Sequence, residues 1–253
     1  MTLNWKRSLI IVCDIVIAVY LILAVTALNR PAEKATVCSE VKIDINNCET
    51  AGFLNADEIK RMLQSNKMYP LGKPMGDIDA RVIEESLRKN PFVEEAECYK
   101  TQSGHVCIML KQRTPVAHVM LSNIENYYVD SKGNILPSSR FATDVIIATG
   151  AITKNYAKKK LVNVANEIVN DSFWQNQIEQ INILPDGSVE LVPRVGDHII
   201  YLGAPVGIGK KLVRMRKFYQ FGLNKAGWNK YSYISVEFDN QIICKKKGKE
   251  VKR

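Results

Sequence analysis

The feature that most constrains the fold is a long apolar run near the start of the chain. Residues 8–28 (SLIIVCDIVIAVYLILAVTAL) contain one charged side chain, Asp14. A helix of this length spans about 30 Å, the thickness of the hydrocarbon core of a bilayer. Lys6 and Arg7 precede the run, which favours a cytoplasmic N-terminus. We therefore predict a single transmembrane helix at 8–28 after a cytoplasmic head at 1–7, with everything that follows outside the cytoplasm.

Two features of this run have alternative interpretations. A cleaved secretory signal also starts with basic residues and ends with small ones. Its apolar region is normally about 7–15 residues long, so the length here favours a retained anchor. Asp14 costs on the order of 2.5–3.5 kcal/mol at mid-membrane. Because it lies in the first third of the run, it either reaches the cytoplasmic interface or makes a polar contact with another membrane helix.

The rest of the chain has the composition of a globular protein. With 46% hydrophobic and 24% charged residues, it does not resemble a disordered chain. The formal net charge is +9, but residues 245–253 alone contribute +5, from five lysines and one arginine against one glutamate. This concentration argues against a nucleic-acid surface on the folded part. The basic tail at 248–253 is either solvated or meets anionic lipid or an acidic protein segment.

The six cysteines fit an oxidising compartment. Cys38 with Cys48, and Cys98 with Cys107, are pairs at short range. The second pair conflicts with the predicted strands, because the alternation over 106–110 turns Cys107 outward whereas Cys98 points inward. Without a bulge that shifts the register, these two sulfur atoms cannot meet.

After a linker at 29–36, residues 37–118 are predicted to form a small domain with helices on one face of a sheet. Its elements follow the order strand, helix, helix, strand, strand. They are a strand at 41–45, a helix capped by Asn55, a helix from about 78 to the residue before Asn90, and strands at 93–100 and 106–112.

Residues 119–247 are predicted to form a mostly antiparallel β domain with about two helices, so the fold class is α+β. Alternation and turn residues indicate the strands, and helical spacing of apolar residues indicates the helices. The predicted strands are 145–148, 178–184, 188–192, 198–202, 233–238 and 242–246, and the predicted helices are 156–169 and 208–221. Residues 127–130 lead into a predicted turn at 131–134, which Ile135 and Leu136 follow.

The sequence contains no recognisable catalytic or metal-binding constellation. His105, His118 and His198 have no partner at metal-ligand spacing. The segment 203–211 follows a strand and opens a helix, but Ala204 and Lys211 stand where a phosphate-binding loop needs glycine and a hydroxyl residue. We therefore predict no catalytic residue, no metal and no cofactor, and a function that depends on binding.

The last strand is the predicted binding site. Ile234, Val236 and Phe238 alternate toward a core, and the strand that follows, at 241–247, lies near the end of the chain. No later segment is then available to cover its outer edge, and an open edge invites either aggregation or the addition of a partner strand. Lysines at 245–247 oppose aggregation without preventing strand addition. In the alternative interpretation, the charged side chains only protect the edge and no partner binds there.

Short motifs in fixed order resemble the FtsQ/DivIB family of bacterial cell-division proteins. The motifs similar to its polypeptide-transport-associated (POTRA) domain and to the exit from it are GFL at 52–54, NPFVEEA at 90–96 and QRTPVA at 112–117. Those similar to its β domain are YYVDSKG at 127–133, PRVGDH at 193–198, LG at 202–203, KKL at 210–212 and YISVEF at 233–238. Gln112, Ser235 and Gln241 depart from the usual family residues.

The resemblance implies a non-enzymatic scaffold of the divisome, the bacterial division machinery. Such a protein is a single-pass protein of the inner membrane at the division septum, with its folded part in the periplasm or extracytoplasmic space. It binds FtsB- and FtsL-like single-helix proteins and other divisome components, and it helps to recruit and regulate septal wall synthesis. No nucleic acid or small-molecule substrate is implied.

Family members receive an FtsB strand along the last strand of the β domain. Carried over to this sequence, the partner-binding residues are Phe238, Asn240, Gln241, Ile242, Ile243, Cys244, Lys245 and Lys246. Two other functions are weighed against this one. An outer-membrane assembly or secretion factor also carries POTRA domains, but it normally has a cleaved signal and a large closing barrel. A membrane-tethered periplasmic enzyme requires a convergent polar pocket, for which the sequence offers no candidate residues.

Overall fold

A computed structural model of the chain describes residues 5–28, 36–46, 52–121, 126–138 and 144–248. They form a mixed α and β fold, as the sequence predicts, in which a small domain of the predicted POTRA type, here called the POTRA-like domain, precedes a large β sheet. Cys48 of the predicted pair Cys38–Cys48 lies outside the described ranges. Most of the predicted linker and of the predicted tail also lies outside them.

Helix α1 extends from Trp5 to Leu28 and contains the predicted membrane span at 8–28. Its large apolar side chains at Leu9 and over residues 11–25 are at least half exposed, and α1 supplies no residue to any of the hydrophobic clusters. Across the parts of the chain that the structure describes, no helix combines the length and the hydrophobicity needed to cross a membrane.

The POTRA-like domain contains the predicted elements in the predicted order. They are β1 (Glu40–Asn46), α2 (Ala56–Ser65), a 3-10 turn (Met75–Asp77), α3 (Ala80–Arg88), β2 (Val93–Lys100) and β3 (His105–Gln112). Asn55 caps α2, because its side chain accepts a hydrogen bond of 2.9 Å from the backbone N–H of Asp57. The strand order is β1–β3–β2, with β1 parallel and β2 antiparallel to β3.

The β2–β3 register settles the predicted conflict between Cys98 and Cys107. Cys98 lies opposite Ile108, and Cys107 lies opposite Tyr99. Cys98 is buried, whereas Cys107 is half-buried on the other face of the sheet, and both thiols are free. The alternation of the strands therefore separates the two sulfur atoms, and the one register shift between β2 and β3, at Val93 and Glu95, does not bring them together.

The second domain is built on a sheet that has nine strands within the described ranges. In chain order the strands are β4 (Pro115–Met120), β5 (Asn126–Asp130), β6 (Ile135–Pro137), β7 (Ile146–Gly150), β8 (Ile178–Ile183), β9 (Val189–Pro193), β10 (Ile199–Gly203), β11 (Tyr231–Ser235) and β12 (Ile243–Lys246). Their spatial order is β12–β11–β10–β9–β8–β7–β4–β5–β6, and most neighbouring pairs are antiparallel.

Helices cover one face of this larger sheet. The main ones are α4 (Val162–Val169), α5 (Ser172–Gln177) and α6 (Ile208–Phe218). A π-helical turn precedes α4 (Ala157–Leu161), and another follows α6 (Tyr219–Leu223). Their inward side chains join the strands in one hydrophobic cluster, in which Trp174 of α5 is fully buried.

Several elements of this domain were not predicted from the sequence, among them β4, β6 and α5. Strand β4 buries Val116, Ala117 and Val119, so it lacks the apolar–polar alternation that marks a half-exposed strand. Helix α5 has only six residues, too few for a periodic pattern, although Asp171 caps it by accepting from the N–H groups of Phe173 and Trp174. With β4 in the larger sheet, the chain changes sheets between Gln112 and Pro115, before the predicted domain boundary at 118.

An aromatic cluster joins the two domains. The ring of Phe53 stacks on Phe92 of the first domain at 5.2 Å and meets Tyr128 of the second edge-on at 5.4 Å. Arg113 donates to the Asp130 carboxylate at 2.9 Å across the same junction. The hydrophobic clusters draw all their buried residues from Cys38 onward, so a fragment that begins at residue 36 retains both cores.

Candidate partner-binding edge

Strand β12 lies at one end of the larger sheet. Of the strands that the structure describes, only β11 pairs with it. The register places Cys244 opposite Ile234 and Ile243 opposite Ser235. The outer side of β12 is therefore an open edge, at the position where the sequence predicts one.

The backbone groups that β12 offers can be assigned from its hydrogen bonding. The N–H of Lys247 donates to the carbonyl of Lys230 at 3.0 Å, so it faces inward, toward the segment that leads into β11. Backbone groups alternate along a strand, so those of Lys245 and Ile243 also face β11. Those of Cys244 and Lys246 then face outward, where the backbone of an additional strand can pair with them.

The side chains along this edge alternate in burial. Ile242 and Cys244 pack partly against the core of the domain. Ile243 is 51% exposed, and Phe238 in the preceding connection is 50% exposed. Lys245 and Lys246 are exposed. All eight predicted partner-binding residues thus lie in one hairpin, with free backbone groups next to exposed apolar side chains.

The position of Phe238 differs from the sequence prediction. Phe238 was expected to continue the alternation of Ile234 and Val236 into the core. Instead, β11 ends at Ser235, and Phe238 is half exposed. The reason is Arg214 of α6, whose guanidinium donates to the carbonyls of Val236 at 2.8 Å and Phe238 at 2.5 Å. These bonds use carbonyls that a longer strand would pair across the sheet.

Arg214 also binds the connection that leads from β11 into β12. Its other terminal nitrogen donates to Asp239 at 2.5 Å. The adjacent Asn240 has a φ of 64°, in the left-handed region that asparagine tolerates better than most residues. This role of Arg214 could not be predicted from the sequence, because an arginine on a basic amphipathic helix is normally solvated. Its reach toward the hairpin depends on how α6 packs on the sheet.

The far end of β12 is fixed by a second ion pair. The Lys247 ammonium lies 2.8 Å from the carboxylate of Asp197, in the loop between β9 and β10. Hydrogen bonding to Lys247 holds the pKa of Asp197 below its ordinary value. The edge strand is therefore attached at both ends by side chains, and its middle remains accessible.

The glycine-containing segment 203–211 has a structural role. Lys211 is buried, and its ammonium donates to the carbonyls of Leu202 at 2.7 Å and Ala204 at 2.8 Å. Burial lowers the pKa of Lys211. An ammonium committed to two carbonyls of its own loop is not available to a phosphate. Among the residues that the structure describes, no group of three or more His, Cys, Asp or Glu side chains could hold a metal ion.

The histidines occupy structural positions. The ring of His118 stacks on Tyr128 at 4.2 Å, and burial lowers the pKa of His118. His198 is buried, with Nε2 hydrogen-bonded to the Tyr219 hydroxyl at 2.8 Å. His105 lies 3.4 Å from a carboxylate oxygen of Glu40. The open edge of β12 is therefore the candidate functional site.

This combination of domains defines the class of protein: a POTRA-like domain followed by a β domain with helices on one face and an open final strand. The family described as POTRA-like domain matches residues 36–111. The family described as FtsQ/DivIB, C-terminal related, matches residues 114–245, which is just over half of the chain. The chain belongs to the FtsQ/DivIB family. A search of curated protein sequences finds no match to it.

Proposed function

We propose that the chain is a non-enzymatic divisome scaffold that binds an FtsB- or FtsL-type partner by strand addition at β12. The single observation that carries this proposal is the open edge of β12, with outward backbone groups at Cys244 and Lys246. Strand addition gives affinity through main-chain hydrogen bonds and specificity through neighbouring side chains. Membership of the family supports a role in cell division, and the open edge supports binding by strand addition.

The side chains beside the edge support the same mode. Phe238 and Ile243 are each about half exposed, and no cluster of the domain covers them. Covering the exposed half of each by a partner contributes on the order of 1 kcal/mol per side chain. Lys245 and Lys246 favour an acidic segment in the partner and oppose pairing between two copies of this basic edge.

We also propose that residues 8–28 anchor the protein in the inner membrane, with the folded domains outside the cytoplasm at the division septum. The supporting observation is that the described large apolar side chains of α1 are at least half exposed and belong to none of the hydrophobic clusters. Reporter fusions at residues 1 and 36 test this topology. Cytoplasmic signal at residue 1 with extracytoplasmic signal at residue 36 is expected, and the same compartment for both contradicts the proposal.

A binding experiment tests the edge. The fragment 36–253 is titrated with FtsB- and FtsL-type partners, and the Ile243→Glu variant is compared with the parent. Loss of apolar contact and burial of a charge weaken binding at least about tenfold. Ile243 is a cleaner test position than Ile242, since Ile242 packs partly against the core.

The matched control is Leu71→Glu, since Leu71 is 50% exposed but lies in the POTRA-like domain. It should bind the partner as the parent does. Full binding by a folded Ile243→Glu variant, or an equal loss with Leu71→Glu, excludes the β12 edge as the docking site. An outer-membrane assembly or secretion factor is the second candidate, but no observation specifically favours it, and the match over 114–245 favours a division protein.

A further inference from the structure

The POTRA-like domain has an open sheet edge at β1. Of the strands that the structure describes, only β3 pairs with β1. Just before β1, the chain is paired: the N–H of Cys38 donates to the carbonyl of Lys73, and its carbonyl accepts from the N–H of Gly72, both at 2.9 Å. This pairing ends at Cys38. Within the described residues, the seven residues of β1 therefore present an uncovered edge.

Strand β3 uses alternate residues for its two neighbours. The N–H of Thr101 donates to the carbonyl of His105 at 2.9 Å, across the hairpin that joins β2 to β3, so the backbone of His105 faces β2. Backbone groups alternate along a strand. The residues of β3 that face β1 are therefore Val106, Ile108 and Leu110.

The pairing with these three residues determines which groups of β1 face outward. In a parallel pair, a residue bonds to the two neighbours of its register partner and leaves the partner itself unpaired. The register partners of the three residues are Val41, Ile43 and Ile45. Their N–H and C=O groups therefore face outward, and their side chains pack only partly against the domain core. The edge thus combines free backbone groups with partly covered apolar side chains.

The exposed side chains of β1 alternate in charge. Lys42 and Asp44 are both exposed, on the face of the strand that turns away from the core. The edge of β12 differs, because Lys245 and Lys246 repel the same residues of a second copy. An edge that carries a cation and an anion two positions apart can instead attract a copy of itself.

One antiparallel register between two copies of β1 aligns all of these features. When Ile43 lies opposite Ile43 of the second copy, Val41 lies opposite Ile45, and all the outward backbone groups pair. Lys42 then lies opposite Asp44 on both sides of the two-fold axis, in the pairs whose side chains approach most closely. A shift by one residue mismatches the outward groups. A shift by two places Lys42 opposite Lys42, or Asp44 opposite Asp44.

We infer that β1 is the interface of a symmetric homodimer, in which two copies pair antiparallel about Ile43 and join their three-stranded sheets into one. Charge complementarity selects a second copy as the occupant, and the two-fold symmetry closes the assembly at two chains. One strand pair buries less than the about 1,200–2,000 Å² of a stable interface, so we expect a dissociation constant on the order of 100 µM. The inference does not depend on strand addition at β12.

Sedimentation equilibrium of the fragment 36–253 tests the dimer directly. Over about 10–500 µM, the average mass should rise from that of one chain toward that of two, and no further. A mass that stays at one chain across this range overturns the inference, and so does a mass that passes two chains.

Charge-reversal variants locate the interface. Lys42→Asp opposes two carboxylates and Asp44→Lys opposes two ammonium groups, so each variant alone should dimerise at least about tenfold more weakly than the parent. Mixed in equal amounts, the two variants should associate about as strongly as the parent, because every opposed pair is again unlike in sign. A mixture that associates no better than either variant alone overturns the inference.

Two controls carry matched changes elsewhere. Arg81→Asp makes the same charge change at an exposed position of α3, the helix beside the opposite edge of the sheet, and should dimerise within about twofold of the parent. An equal loss there overturns the inference, because the attraction then comes from net charge. Ile243→Glu should also dimerise as the parent does, so that failure at β1 and failure of strand addition are distinguished. Loss of the dimer in Ile243→Glu assigns the interface to β12 and overturns the inference.

Amide hydrogen exchange shows whether the strands themselves pair. In the parent, exchange at Val41, Ile43 and Ile45 should slow as the concentration rises, because their N–H groups become bonded only in the dimer. Exchange at these residues that stays unchanged while the mass rises places the contact elsewhere and overturns the inference.

Discussion

Two sheet edges of this protein, those of β2 and β12, differ in whether their unpaired backbone groups are covered. On the outer side of β2, the guanidinium of Arg88 donates to the carbonyl of Ala96 at 2.7 Å, and the N–H of Cys98 donates to the carboxylate of Glu84 at 2.9 Å. Arg88 and Glu84 also pair with each other at 3.0 Å. Two side chains from α3 thus occupy groups that a neighbouring strand would otherwise use.

The edge of β12 has no such cover. Among the described residues, no side chain bonds to the outward backbone groups of Cys244 or Lys246, and the ion pairs of the hairpin lie at its two ends. Unpaired edges promote aggregation, and proteins normally block them. The molecule thus closes the edge of β2 with a charged pair and leaves the edge of β12 open, and this difference supports the proposed strand addition.

Proline at position 244 tests the open edge most strongly. Its nitrogen faces outward by the alternation argument, so Cys244→Pro removes a donor that only a partner uses and places a ring in the partner's path. We expect about 30-fold weaker partner binding in isothermal titration, with the domain still folded. Lys245→Pro is the control, because that nitrogen faces β11, and this variant should lose stability instead. An unchanged affinity for Cys244→Pro would refute the assigned register.

Removing the cover on β2 should have the next largest effect. The double variant Glu84→Ala with Arg88→Ala exposes the backbone of Ala96 and Cys98, and we expect a loss of about 1–2 kcal/mol in the free energy of unfolding, measured in urea. It should also self-associate more readily. The matched control is Arg81→Ala, which breaks an exposed ion pair with Glu85 on the same helix. That variant should lie within about 0.5 kcal/mol of the parent.

Arg214→Ala should weaken partner binding less than Cys244→Pro does, because it removes bonds that order the hairpin and no bond to the partner. The variant loses the bonds to the carbonyls of Val236 and Phe238 and to Asp239. We expect partner binding to fall about fivefold, because the hairpin is then less ordered before docking. Hydrogen exchange over residues 236–246 should rise. Slow, unchanged exchange there would show that Arg214 does not order the hairpin.

Lowering the pH should have the smallest effect, because it acts only on the ion pair between Asp197 and Lys247 at the far end of β12. Lys247 lowers the pKa of Asp197 in the folded state, so the stability from this pair is present above the ordinary Asp pKa of about 3.9 and is lost as the pH falls through the lower folded value. Amide exchange of Lys247, corrected for intrinsic rates, should therefore accelerate over that interval. Asp197→Asn should abolish the pH dependence, and its persistence in that variant would assign the effect to another group.

Much of the fold could be predicted from the sequence, because it depends on local patterns. Alternation located most strands, and the Asn55 cap located α2. The cover on β2 could not be predicted in this way. Glu84 and Glu85 look alike in sequence, and which of them reaches the strand depends on how α3 packs against β2.

Phe238 and Arg214 show the same limit within the candidate site. The alternation of Ile234 and Val236 was extended one step too far, because a tertiary contact ends the strand. Strand β4 was missed for the opposite reason, since a strand covered on both faces carries no alternation. Patterns along the chain predicted the elements, whereas the bonds that shape the edge join residues more than 20 positions apart.

The fixed ends of β12 have a consequence for the design of inhibitors. Since Arg214 and Lys247 hold the strand before any ligand arrives, the template is preformed, and the conformational entropy lost on docking falls mainly on the incoming segment. A short peptide cyclised into a β hairpin would enter already ordered. Its affinity relative to the linear peptide would measure how rigid the receiving strand is.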